Sequence, residues 1–185
     1  IGLDYYYRPK TKTKAEQFKQ KQKDVFLKQL GLAQELNLPV IFHCRAAHGD
    51  LIEILKSQTQ NSKLRGVIHC FTGTFEQAQR YLEMGFYVGL NGIIFKLDLS
   101  EVIEKTSLDK ILLETDCPYL TPPPASLREQ ARLRSVAGGA ATEKSINQVR
   151  NEPIYIQYVA EKIAQIKNLT FKKVADITSE NAREL

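Results

Sequence analysis

The chain has 185 residues, 43% of them hydrophobic and 25% charged, values that fit one ordinary globular domain. They exclude collagen, coiled coil and extended disorder, and no stretch reaches the roughly 18 to 20 consecutive apolar residues of a membrane span. The 26 basic against 21 acidic residues leave a net +5, a mild excess that suits an anionic partner without identifying one.

In chain order, short apolar runs alternate with longer amphipathic ones. Ile1 to Asp4 reads as a strand. Ala15 to Asn37 reads as a helix with Phe18, Phe26, Leu30, Ala33 and Leu36 on one face. The lysines at 10, 12, 14, 19, 21, 23 and 28 read as solvated surface rather than as a nucleic-acid contact. Pro39 to Cys44 is the next strand and Gly49 to Lys56 the next helix. Gly66 to Phe71 is a strand, followed by a helix over Thr74 to Met84 in which Thr74 and Gln77 have the spacing of a capping box. Phe86 to Asn91, a short helix over Asp98 to Lys105, and a strand over Lys110 to Asp116 follow. Thr121-Pro122-Pro123-Pro124 continues neither a strand nor a helix interior. Residues 125–150, rich in Arg, Ala, Gly and Ser, read as a long loop insertion with one short helix near Leu127 to Arg134. Pro153 opens a helix with Ile156, Val159, Ile163 and Ile166 along one face, and Phe171 to Leu185 is a last helix broken near Thr178.

This β-α alternation predicts an α/β fold of parallel strands joined by right-handed crossovers, in a single domain over 1–185. The strand spacing suits either a doubly wound sheet or a (β/α)8 barrel. No GxGxxG follows a strand, which weakens the dinucleotide-binding version.

Chemistry-bearing residues stand where strands end: Ile41-Phe42-His43-Cys44-Arg45, Ile68-His69-Cys70-Phe71 and Leu113-Glu114-Thr115-Asp116-Cys117. In a barrel that is the face where active sites form. His43, His69 and Asp116, from separate strands, can converge on one divalent cation in the two-His-one-carboxylate manner. A lone His after an apolar run is more often a satisfied core side chain, but here two occupy equivalent places. Strand alternation turns the neighbouring Cys44, Cys70 and Cys117 toward the surrounding helices, where a thiol is a small hydrophobe. The three Cys lack CxxC spacing, so neither a disulfide framework nor a zinc ribbon is expected, and a reducing cytoplasm fits. Arg45 shares the side of His43 and can face an anionic substrate, whereas His48 is expected in a solvent-facing loop. Phe71-Thr72-Gly73-Thr74 reads equally as a phosphate-binding helix start or as a simple helix cap.

Ile1-Gly2-Leu3-Asp4-Tyr5, Leu38 to Arg45, His69 to Gly73, Leu112 to Leu120 and Arg150-Asn151-Glu152-Pro153 together resemble the TatD family of metal-dependent deoxyribonucleases and related hydrolases. The resemblance runs over 1–124 and 150–185. It implies a partial (β/α)8 barrel of the metal-dependent hydrolase superfamily, with strands four to eight present. In the family, two His come from an HxH on the first strand and a bridging Glu from the fourth. His43 and His69 then match the ligands of the fifth and sixth strands, and Asp116 the carboxylate of the eighth. The HxH and the bridging Glu have no counterpart in this chain. With no initial Met and Met84 as the single Met, the chain is therefore expected to be an N-terminally truncated piece, aggregation-prone and inactive alone.

For the intact protein the resemblance implies a hydrolase that cleaves DNA phosphodiester bonds with water activated by two divalent ions, Mg, Mn or Zn. Asp116 would serve as ligand and general base, Asp4 would orient a ligand imidazole, and Arg45 would hold a phosphate. The expected partner is DNA and not a membrane, and the expected location is the cytoplasm. The alternatives are an amidohydrolase or esterase on a small substrate, and a non-catalytic fragment that binds nucleic acid.

Overall fold

Each of the five apolar runs becomes a strand, and each strand lies beside its successor in sequence. The computed structural model describes residues 1–7, 9–59, 64–123 and 150–185. The strands are β1 (Gly2–Asp4), β2 (Val40–Arg45), β3 (Gly66–His69), β4 (Tyr87–Leu90) and β5 (Ile111–Leu113). All pairings are parallel, in the order β1-β2-β3-β4-β5. A doubly wound sheet reverses direction at a switch point. Here each strand is added on the same side, which is the winding of a barrel arc. The α/β barrel reading therefore holds and the doubly wound one does not.

The helices are α1 (Lys12–Glu35), α2 (His48–Thr59), α3 (Phe75–Glu83), α4 (Ser100–Lys105), α5 (Ile156–Lys167) and α6 (Phe171–Glu184). β2 shows how the sequence assigns the two sheet faces. Val40, Phe42 and Cys44 are buried while Ile41, His43 and Arg45 are exposed, the period-two pattern of a strand. On the packed side Phe42 meets Phe26 and Phe86 edge-on, with ring centroids 6.2 and 5.1 Å apart. Leu30, Leu51, Leu55 and Ile68 complete this core, each with no exposed surface. Full burial of one such side chain contributes roughly 1.5–3 kcal/mol.

Several local expectations change. α1 begins at Lys12, where the Thr11 side chain accepts from Lys14 N. Of its expected apolar face Phe26 and Leu30 are buried, while Phe18 and Leu36, the latter just past the helix end, stay exposed. The predicted break near Thr178 is absent: α6 runs through it, and the buried Thr178 hydroxyl is satisfied within the helix by donating to Val174 O at 2.8 Å. A 3-10 turn over Pro153–Tyr155 leads into α5, which closes at a left-handed Asn168. The expected insertion at 125–150 and its short helix lie, but for Arg150, outside the described residues. Among the described residues, no helix is long and apolar enough to cross a membrane.

Candidate functional site

The C-terminal ends of the strands open into a cleft of about 580 Å³ whose walls include Tyr7, His43, Arg45, His69, Asp116 and Tyr119. His43 and His69 are register partners on the neighbouring strands β2 and β3. Adjacent strands lie about 4.8 Å apart, so the two imidazoles start from neighbouring backbone positions.

His69 is the more constrained of the two. Its Nδ1 lies 2.7 Å from Glu114 Oε2. The other Glu114 oxygen accepts from Cys70 N and from Asn91 Nδ2, the latter at 3.1 Å. Asn91 is fully buried at the end of β4, so the carboxylate is anchored from two strands. Gly89 makes room for it: a Cβ there would come within 2.9 Å of Glu114 Oε2 and 3.1 Å of Ile68 O. The hydrogen bond that His69 donates to Glu114 holds the His69 pKa above the ordinary value, against burial, which lowers it.

With Nδ1–H donated to Glu114, the ring presents Nε2 as its lone-pair nitrogen, the arrangement that metal-ligating histidines adopt. That Nε2 lies 3.5 Å from Asp116 Oδ1. The separation is long for a direct hydrogen bond. Two ligand atoms each about 2.1 Å from one cation, at a tetrahedral angle, lie roughly 3.4 Å apart. The 3.5 Å spacing is an ion-pair distance and is also close to that of two ligands on one cation.

Asp116 owes its place to a loop rather than to a strand. It has φ of 57° and precedes a cis Cys117–Pro118 peptide. Asn151, buried ahead of the turn that leads into α5, donates from Nδ2 to Thr115 O and Tyr119 O, both at 2.6 Å. Its backbone N donates to Pro118 O at 3.1 Å. One side chain thus ties both ends of the turn that carries Asp116.

His43 Nε2 lies 3.1 Å from Asp4 Oδ2. Asp4 is fixed in turn by Gln22 of α1, which accepts from Asp4 N and donates to Asp4 O, each at 2.7 Å. Among the described residues, no group of three or more His, Cys, Asp and Glu side chains is gathered closely enough to hold a metal ion. His69 and Asp116 are within reach of one cation, while His43 faces the same cleft turned toward Asp4. The donor set fits a divalent cation at the His69–Asp116 pair. Arg45 stacks on Tyr6, with Cζ 3.7 Å from the ring centroid.

Three expectations need correction. His48 is not in a solvent-facing loop but begins α2 and is buried, since β2 stops at Arg45 and Ala46, at φ of 54°, turns the chain inward. Cys70 is half-buried and lines the cleft, and Cys117 is exposed. β3 and β5 end before these two residues, so strand alternation no longer governs them; Cys44, inside β2, is buried as expected. At Thr74 the cap reading prevails: Thr74 and Gln77 form a reciprocal capping box.

Sequence reasoning missed Glu114 and Asn151. A carboxylate closing the apolar run Ile111-Leu112-Leu113 was the available signal for the first. Asn151 stood in the Arg150-Asn151-Glu152-Pro153 motif without an assigned role, because both of its side-chain acceptors lie more than 30 residues earlier.

The chain matches the family described as TatD related DNase over residues 1–185. It is 38% identical to the uncharacterized metal-dependent hydrolase YabD of Bacillus subtilis, over all of this chain and 62% of that protein. It is 34% identical to the 3'-5' ssDNA/RNA exonuclease TatD of Escherichia fergusonii, over 90% of this chain and 58% of that protein. Among solved structures, a TatD family hydrolase from Entamoeba histolytica aligns with a TM-score of 0.75 at 26% identity, covering 98% of this chain and 60% of that one. YJJV, a TatD homolog from Escherichia coli, gives 0.74 at 24% identity over 98% of this chain and 60% of its own, and supports the fold alone. This chain spans about 60% of the length of the curated relatives it matches. With the match running from its first residue to its last, and the strand winding in agreement, the chain belongs to the TatD-related DNase family.

Proposed function

We propose that this chain supplies part of the catalytic centre of a divalent-metal hydrolase that cleaves phosphodiester bonds of DNA. The observation that carries the reading is the His69–Asp116 pair, spaced at 3.5 Å and backed by Glu114. His69 Nε2 and Asp116 Oδ1 would hold a cation, and His43 would join them from β2 while Asp4 orients its ring. The relatives' names support metal use and, for the Escherichia fergusonii protein, a nucleic-acid substrate.

A bound divalent cation would supply Lewis acidity, lowering the pKa of water and neutralising charge on phosphoryl oxygens; two such ions, Mg, Mn or Zn, are proposed for the whole protein. The residues of this chain do the rest. Asp116 takes the proton of the attacking water at the carboxylate oxygen not turned to His69. Glu114 keeps the His69 proton on Nδ1, so that Nε2 stays an electron-pair donor. Arg45, on the same open face as His43, faces the phosphate.

The test measures hydrolysis of single-stranded DNA by the whole protein, beside a panel of lactones and amides, with added Mg²⁺, Mn²⁺ or Zn²⁺ and with EDTA. DNA cleavage lost in EDTA and in Asp116→Asn is expected. Turnover of lactones or amides with none of DNA would replace the nuclease reading by an amidohydrolase one. DNA binding without any turnover, unchanged by Asp116→Asn, would make the chain a binding protein.

A further inference from the structure

The cleft rim carries aromatic surface that the metal-binding groups do not use. Tyr7 and Tyr119 are each 70% exposed and Tyr6 is 58% exposed, whereas Tyr5 and Tyr81 are buried in the core. Scattered exposed aromatics need no explanation, but two on the walls of one cleft, with a third packed against Tyr7, do. Tyr7 and Tyr119 both line the cleft that holds His43, His69 and Asp116, and they reach it from opposite ends of the described sheet. Tyr7 follows β1, and Tyr119 sits on the turn beyond β5 that Asn151 ties down.

Arg45 lines the same cleft beside the Tyr6–Tyr7 pair. Its guanidinium is 3.7 Å from the Tyr6 ring centroid and 5.6 Å from that of Tyr7, and Tyr6 meets Tyr7 edge-on at 5.0 Å. Among the described residues no carboxylate pairs with it in a salt bridge. A ring against the guanidinium fixes the cation in place while leaving donors for an anion. Flat exposed rings beside such a cation are the elements with which proteins hold single-stranded nucleic acid, because every base has a π-face and every link a phosphate. A base still paired in a duplex has both faces covered by its neighbours.

We propose that Tyr7, Tyr119 and Arg45, the last seated on Tyr6, form a subsite for an unpaired nucleobase and its adjoining phosphate beside the His69–Asp116 pair. This deepens the nuclease reading of the same cleft and rests on it for the substrate class. Either ring can take a base by stacking, and Arg45 takes the phosphate.

Equilibrium binding of the full chain in EDTA, read by fluorescence anisotropy, separates base from phosphate. The probes are a short single-stranded DNA and an abasic oligonucleotide of equal length. The wild type is expected to prefer the base-bearing strand. Tyr7→Ala and Tyr119→Ala should each weaken its binding about tenfold and leave the abasic strand unaffected, while Phe at either position restores the preference. Arg45→Gln should weaken both strands alike. Equal affinity of the wild type for the two probes, or equal losses on both in the Ala variants, would overturn the subsite. Cleavage of the same DNA by the whole protein with Mn²⁺ is scored separately. Cleavage without base preference sinks the subsite alone, and base preference without cleavage sinks the nuclease reading while the subsite stands.

Discussion

Two histidines, one closing β3 and one three residues past the end of β2, meet opposite surroundings. His69 faces the cleft between Glu114 and Asp116, and the Glu114 hydrogen bond raises its pKa. His48 lies on the helix side, 9% exposed, with Nδ1 3.3 Å from Cys44 Sγ and 3.1 Å from Tyr81 OH. Its Nε2 is buried with no hydrogen-bond partner among the described residues, and burial lowers its pKa. Carboxylates therefore prepare one imidazole to meet a cation. Burial disfavours a charge on the other, which packs against a thiol and a phenol, and the Cys44 thiol is itself pushed up to about 11 by burial. Side of the sheet, rather than residue type, decides the role.

The sharpest way to break this contrast is to disarm the carboxylate behind His69. Glu114→Gln keeps the size and removes the charge, so divalent-metal affinity measured by calorimetry should fall about 10- to 100-fold. Unchanged affinity would mean that Glu114 is packing alone. Next comes the turn that carries Asp116. Asn151→Ala leaves Thr115 O and Tyr119 O without their donor and should cost about 1–3 kcal/mol in urea unfolding. A turn that needs no clamp would show no loss.

His48 gives a pH effect with a definite sign. Its folded pKa is depressed, so its stabilising contribution is complete above about 6.5 and is lost as the pH falls below that value. Protonation would place a cation and an unpartnered N–H in the core. The melting temperature of the wild type should therefore drop more steeply between about pH 7 and 5 than that of His48→Gln. Parallel slopes would place His48 in solvent after all. The mildest effect is on thiol reactivity. Iodoacetamide at neutral pH should label exposed Cys117 first and Cys44 last, because Cys44 is 4% exposed and its thiol stays protonated. Early labelling of Cys44, read by peptide mass, would show that the buried side of β2 opens.

How far the sequence could be read follows the reach of its periodicities. Inside β2 the alternation of Ile41, His43 and Arg45 with Phe42 and Cys44 was legible, and the faces came out as the period demands. Past the last paired residue the period has no authority. Ala46, Cys70 and Asp116 all adopt positive φ, at 54°, 46° and 57°, and there the readings of His48, Cys70 and Cys117 failed. The capping box at Thr74 was legible because both partners are three residues apart. Glu114, Asn91 and Asn151 were not, because each acts on residues that only the folded sheet brings near.

The central claim is tested most directly by calorimetric titration of Zn²⁺ into the wild type, His69→Ala and Asp116→Asn, with circular dichroism confirming that each variant is folded. The expected result is a binding event in the wild type that either substitution abolishes. Equal binding by all three folded proteins would contradict a cation shared between His69 and Asp116.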